Sequence, residues 1–300
     1  YVQFPEEKIS KIGGVLNDPR RPLKERFRAL FTLKNIGGSI AIKCIADCFS
    51  DNSALLKHEL AYCLGQMKDP AAIPILTSIL SDVRQEPMVR HEAAEALGAI
   101  GCELETVLPV LGQFKNDDVP EVKETCQLAV DRLQWISSGG KDGGNIYGSV
   151  DPTPSSVNRN VKELESILLD NNIALYDRYQ AMFALRDLGT PECILSLSKG
   201  LKTGSALFRH EVAFVLGQLQ SPVSVPYLID GLRDKSLNEM VRHECAEALG
   251  AIGTDECMEV LRQFLEDDKV VVKESCEIAL DMCDYENSPE FQYANTLLKI

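Results

Sequence analysis

Four histidines occur in this chain of 300 residues, and each is followed directly by a glutamate: His58-Glu59, His91-Glu92, His210-Glu211 and His243-Glu244. A base precedes every pair, as Lys57, Arg90, Arg209 or Arg242. Imidazole nitrogen with carboxylate oxygen is a metal-binding donor set, and two histidines with one carboxylate leave open positions on non-haem Fe(II). Structural zinc sites draw mainly on cysteine and are closed, whereas the cysteines here stand away from the His-Glu ends. Magnesium and calcium prefer oxygen ligands alone. Iron or manganese suits the set best. Glu95 and Glu247, four residues past His91 and His243, share a helix face with them and are further candidate ligands, although Tyr62 and Phe214 hold those places in the sister motifs. The preceding bases are expected to neutralise the carboxylates. No nucleophile–base arrangement, phosphate loop or nucleotide fingerprint is present.

The elements that must position these pairs repeat. His58 and His91 are 33 residues apart, as are His210 and His243, and a longer period of 152 residues links the first couple to the second. The long period also pairs 26–33 with 178–185, and it shortens to 150 where Val122-Lys-Glu-Thr-Cys126 matches Val272-Lys-Glu-Ser-Cys276. The chain is therefore a duplication of a unit that is itself repetitive. Each repeat reads as two helices. Pro70 to Leu80 opens with proline and spaces its apolar residues three and four apart. A polar break follows, then a second helix from about Pro87 to Ile100, stopped by Gly101. Counting by the repeat predicts four helix pairs in each half. The outer ones, near Ala29, Cys126, Ala181 and Cys276, lack His-Glu and read as caps.

Adjacent helical residues project about 100° apart, so a His-Glu pair can offer both groups to one concave surface. Stacked repeats make His58 and His91 lateral neighbours, and likewise His210 and His243. The expected fold class is all-α, with helical-hairpin repeats in two four-repeat halves, 1–136 and 161–300. Between them, 137–160 is rich in Gly, Ser, Pro and Asn and reads as a flexible linker across which the halves turn to face each other. Two patches facing in that way would make a dinuclear site. The tail after Tyr285 is expected to be a final helix or cap.

Composition narrows the function classes. A net charge of −14 argues against nucleic acid, whose binding depends on neutralising phosphates, and favours a basic or polyamine-like partner. No apolar run approaches the roughly 20 residues of a membrane span. The start at Tyr1 is expected to be a trimmed end without a secretion signal, and the protein to be soluble and cytoplasmic. Ten cysteines without a Cys-x-x-Cys motif, several at apolar helical positions, are expected to be reduced core residues.

Two groups of helical repeats, each holding Lys/Arg-His-Glu pairs 33 residues apart, resemble the deoxyhypusine hydroxylases. The strings Ser53 to Gln66, Gln85 to Glu92, Gly204 to Glu211 and Met240 to Gly250 carry the resemblance, as does Ser149-Val-Asp-Pro152. It covers essentially the whole chain, with all four pairs intact. The glycine-rich stretch 139–144 is the one departure noted. The resemblance implies a HEAT-type fold and a di-iron centre of two Fe2+ ions with dioxygen as co-substrate. It also implies hydroxylation of a deoxyhypusine side chain on the eukaryotic translation factor that carries hypusine. His58, His91 and Glu92 would hold one iron, and His210, His243 and Glu244 the other. Glu59 and Glu211 would be catalytic residues that meet the substrate's amines, or would join the metal shell. Met88 and Met240 pack beside the motifs. Two rival classes remain at this point: a non-catalytic helical-repeat scaffold, which predicts no bound metal, and a bilin-lyase-like repeat protein, which needs a tetrapyrrole partner.

Overall fold

The structure, a computed structural model, describes residues 4–141, 143–290 and 292–296. Its described residues are helical or irregular, with no strand. Two compact units are present: residues 1–141 with 290–300, and residues 142–289. The expected all-α class and hairpin repeats are what the chain adopts.

In the first unit the helices are α1 (Glu6–Asn17), α2 (Leu23–Ile36), α3 (Gly38–Asp47), α4 (Ala54–Met67), α5 (Ile73–Ser81), α6 (Pro87–Ile100), α7 (Leu104–Phe114) and α8 (Pro120–Ser137). The even-numbered helices form an inner row in which each packs on the next, and the odd-numbered ones cover it. The helix expected from Pro70 begins instead as a 3-10 turn, Pro70–Ala72, capped by the Asp69 side chain on Ala71 N–H, and turns α-helical at Ile73. Pro74, lacking an N–H, fits that first turn. Gly101 ends α6 at φ 69°, in the left-handed region open to glycine.

The second unit repeats the plan: α9 (Val161–Leu169), α10 (Leu175–Leu188), α11 (Pro191–Lys199), α12 (Ala206–Leu219), α13 (Val225–Arg233), α14 (Glu239–Ile252), α15 (Asp255–Gln263) and α16 (Val270–Glu286). Inner helices approach closely where glycine faces alanine. A Cβ on Gly65 would lie 2.7 Å from the Ala96 Cα, and one on Gly250 would lie 2.7 Å from the Ala279 Cα. The rest of the interior is aliphatic, and burial of such side chains is the main source of stability.

Buried arginines fasten several of the hairpins. Arg90 donates from Nε to the Leu80 carbonyl, 2.9 Å, at the end of its own outer helix, and from Nη2 to Asp117 of the next repeat, 2.7 Å. Arg242 does the same with Leu232, 2.9 Å, and Asp267, 2.6 Å, and Arg26 with Leu16, 2.7 Å, and Asp51, 2.6 Å. Lys57 instead bonds Gln85 and Glu86, and Arg209 the Thr203 carbonyl. This corrects the expectation for the bases ahead of the histidines. Lys57, Arg90 and Arg242 tie their repeats to the next, while Arg209 holds the turn ahead of its own helix.

The segment 143–160, read from sequence as part of a flexible linker, carries specific bonds within the second unit. The Arg186 side chain, 0% exposed, donates to both carboxylate oxygens of Asp151 at 2.8 and 2.6 Å, and its guanidinium lies 4.9 Å from the Tyr147 ring centre. Gln218 Nε2 donates to Ser149 Oγ, 3.0 Å, and Ser156 N–H to the Gln180 carbonyl, 3.0 Å. The tail leaves α16 and caps α2: Arg28 donates to Glu290, 2.8 Å, and Thr296 N–H to Thr32 Oγ1, 3.3 Å. All ten cysteines are free, eight of them buried. No helix of the described residues is long and apolar enough to cross a membrane.

Candidate metal centre

Every His-Glu pair begins in the second turn of an inner helix. Local capping fixes where those helices start. Ser53 and Ser205 accept from the N–H groups of Leu56 and Phe208, Asn238 accepts from Met240, and Pro87 occupies the first turn of α6. Each histidine therefore sits at the same height on its helix. With α4 packed on α6 and α12 on α14, the rings become neighbours: His58 and His91 have centroids 5.5 Å apart, and His210 and His243 5.4 Å.

The carboxylate that joins each couple comes from the neighbouring helix. Glu92 on α6 places Oε2 3.2 Å from His58 Nε2 on α4, and Glu244 on α14 places Oε2 3.2 Å from His210 Nε2 on α12. His58, His91 and Glu92 can each offer one ligand atom with all three atoms inside 4.8 Å, which is within reach of a single ion. In the second unit the same criterion gathers His243, Glu244 and Glu247, and His210 reaches that group through Glu244. Glu247 Oε1 stands 3.5 Å from His243 Nδ1. Glu59 and Glu211 are buried beside their histidines but enter neither ligand group among the described residues.

All eight side chains of the four pairs are buried, His91 and His243 completely. Carboxylates at such depth require a cation or hydrogen bonds for compensation. The local field is negative. Burial raises the Tyr62 phenol well above its ordinary range, and the carboxylates of Glu59, Glu92 and Glu95 add to the effect. Buried imidazoles and carboxylates in a negative field are suited to a divalent metal. Met88 and Met240 are buried in the core beside the motifs.

One partner went unnoticed in the sequence. Thr125 on α8 sets Oγ1 3.5 Å from His91 Nδ1. Its place is 33 residues past Glu92, so the capping repeat carries a hydroxyl where its neighbour carries the carboxylate, and Ser275 matches it in the second half. That register was the available signal.

A family model of HEAT repeats matches residues 42–131 and 194–281, and one of the PBS lyase HEAT-like repeat matches 177–203, a single helix pair. Deoxyhypusine hydroxylase of Drosophila melanogaster is 62% identical over 297 residues, 98% of this chain and 98% of that protein. The Homo sapiens deoxyhypusine hydroxylase is 55% identical over 293 residues, 97% of this chain and 96% of the human one. A solved structure of human deoxyhypusine hydroxylase superposes with a TM-score of 0.91 at 56% identity, covering 93% of this chain and 97% of that one. Repeat architecture, paired motifs and full-length identity agree: the chain belongs to the deoxyhypusine hydroxylase family, built on HEAT repeats.

Proposed function

We propose that this chain is a deoxyhypusine monooxygenase. It would act on the deoxyhypusine side chain of the eukaryotic translation factor that carries hypusine, in the cytoplasm, with two irons and dioxygen. The observation that carries the reading is the meeting of His58, His91 and Glu92 within ligand distance, in a chain of this family. The donor set fits iron: neutral imidazoles and a carboxylate, buried and without thiolate, match the ligands of non-haem Fe(II) oxygenases. One iron would be held by His58, His91 and Glu92, the other by His210, His243 and Glu244. Bound iron supplies the activation of dioxygen that insertion into an unactivated C–H bond requires. Overall, a C–H bond becomes C–OH. The second oxygen atom leaves as water, with two electrons and two protons from an external reductant.

The protein's own groups bind and orient. Glu59 and Glu211 are the carboxylates left over from the ligand sets, and they would receive the cationic amines of the substrate. Charge-assisted bonds of that kind are strong when desolvated. The net charge of −14 draws in a basic partner. The test is to load the purified chain with Fe(II), supply the deoxyhypusine-bearing factor, a reductant and labelled dioxygen, and read the factor by mass spectrometry. The expected result is the gain of one labelled oxygen atom on that side chain. Uptake of iron without such a gain would overturn the substrate, and no uptake would overturn the metal.

A further inference from the structure

α2 and α10 open the inner rows of their units: each is followed by another inner helix, α4 or α12, and preceded by none. The end of a stack exposes a flank that a neighbouring repeat buries elsewhere, and it needs a cap. In both units the cap is a largely irregular segment that grips one arginine of the helix. On α10, Arg186 donates to both oxygens of Asp151 at 2.8 and 2.6 Å, the Tyr147 ring centre lies 4.9 Å from the guanidinium, and Asn145 Nδ2 donates to the same carboxylate, 3.0 Å. On α2, Arg28 donates to Glu290, 2.8 Å, the Tyr293 ring centre lies 4.7 Å from the guanidinium, and Asn295 Nδ2 donates to that carboxylate, 2.7 Å. A backbone N–H completes each hold, Ser156 on the Gln180 carbonyl and Thr296 on Thr32 Oγ1.

The two caps share their chemistry and not their sequence. Chain order is Asn145, Tyr147, Asp151 in one and Glu290, Tyr293, Asn295 in the other. The gripped arginines are not register mates either, since 152 residues past Arg28 stands Gln180, and 152 before Arg186 stands Lys34. One bonding set has thus been built twice, which marks a requirement at both flanks. The strengths differ. Asp151 is 12% exposed against an arginine at 0%, a desolvated bidentate pair of the strong kind. Glu290 is 40% exposed against Arg28 at 10%, and a pair so open to water is weak and screened by salt. The chain also builds the whole second unit, 142–289, before it returns to cap the first.

What the tail covers leads toward the candidate site. The Tyr293 ring stands edge-on to Phe31, 5.8 Å between centres. Lys34 Nζ, one turn along α2, lies 5.9 Å from the Phe31 ring centre and 6.0 Å from that of Tyr62 on α4. Tyr293, Phe31, Lys34 and Tyr62 therefore run from the tail across α2 to the helix that carries His58 and Glu59. We propose that the tail bearing Glu290, Tyr293 and Asn295 is a releasable strap: docked, it caps α2, and on leaving it loosens α2 against α4, while the segment bearing Asn145, Tyr147 and Asp151 is a lasting cap on α10. The inference is independent of the metal and the substrate proposed above.

The test is hydrogen exchange of the purified full chain, read by mass spectrometry on peptides from α2, α6 and α10. In wild type, α2 is expected to exchange faster than α10. Salt at about 1 M, where the screening length falls to about 3 Å, should speed α2 and leave α10 alone. Glu290→Gln combined with Tyr293→Leu removes an exposed ion pair and a cation–π contact, so α2 should exchange about 3- to 30-fold faster with α6 and α10 unchanged. Equal protection of α2 and α10 in wild type overturns the strap, as does an α2 that responds to neither salt nor the double variant. A double variant that speeds α2, α6 and α10 together also overturns it, because the tail would then be one part of a single cooperative fold.

Discussion

His58 Nε2 lies 3.2 Å from Glu92 Oε2, so the next inner helix brings a carboxylate to this imidazole, whereas Glu59, its neighbour in sequence, enters no ligand group among the described residues. The two glutamates therefore separate by experiment. Glu92→Gln keeps the shape and removes the charge, and it is expected to lower iron content from two per chain to one. Glu59→Gln is expected to keep both irons and to raise KM for the deoxyhypusine-bearing factor. Metal analysis beside steady-state kinetics checks both, and iron loss in Glu59→Gln would place that residue in the metal shell instead.

Close helix approach sets up that contact. With a Cβ on Gly65 only 2.7 Å from the Ala96 Cα, Gly65→Ala must push α4 away from α6. The expected cost is about 1–3 kcal/mol by urea unfolding, as for other overpacked cores, with weaker iron binding in the first unit alone. Gly112→Ala is the control. Its Cβ would meet nothing within 4 Å, so the change should stabilise by roughly 0.5–1 kcal/mol.

Arg242 is 2% exposed and paired with Asp267 at 2.6 Å. Arg242→Met leaves that carboxylate without its cation, and removing one member of a buried pair costs about 3–5 kcal/mol. The midpoint of thermal unfolding should fall accordingly. A shift no larger than that of an exposed substitution such as Lys235→Met would refute the fastening role.

The same pair has a pH signature. The hydrogen bond from Arg242 holds the Asp267 carboxyl below its ordinary value of 3.8. A depressed folded pKa means the stabilisation is complete above the unfolded value and fades as pH falls through the folded one. The difference in stability between wild type and Asp267→Asn should therefore be constant above about pH 5 and shrink below about pH 4. Acid titration of the urea midpoint for both proteins reads this directly.

Thiol chemistry should be confined to two places. Cys44 and Cys102 are half-buried while the other eight cysteines are buried, and burial pushes the Cys126 and Cys276 thiols up to about 12. Iodoacetamide on the folded chain is expected to label Cys44 and Cys102 alone, and all ten after denaturation. Labelling of Cys126 at native pH would show that α8 opens locally.

The repeats, the hairpins and the four pairs were legible because each recurs at a fixed spacing and with an apolar period. What stayed hidden depends on partners far apart in the chain. Arg90 looks like a counter-ion for Glu92 until Asp117, 27 residues away, is seen to hold it. Asp151 looks like part of a loose polar stretch until Arg186, 35 residues on, accounts for it. Thr125 was missed because a threonine in a helix carries no local mark of the imidazole it faces. The 3-10 start at Pro70 was read as α-helix because proline suits the first turn of either.

Because Glu92 meets the histidine of the previous repeat, the first unit's candidate ligand group belongs to no single hairpin. Of its three groups, one imidazole comes from the repeat of α4, and an imidazole and the carboxylate come from the repeat of α6. Copying the repeat of α6 alone would transmit only two of those three groups, whereas copying it with the repeat of α4 would transmit the whole. For that donor set the smallest heritable unit is thus an adjacency between two hairpins.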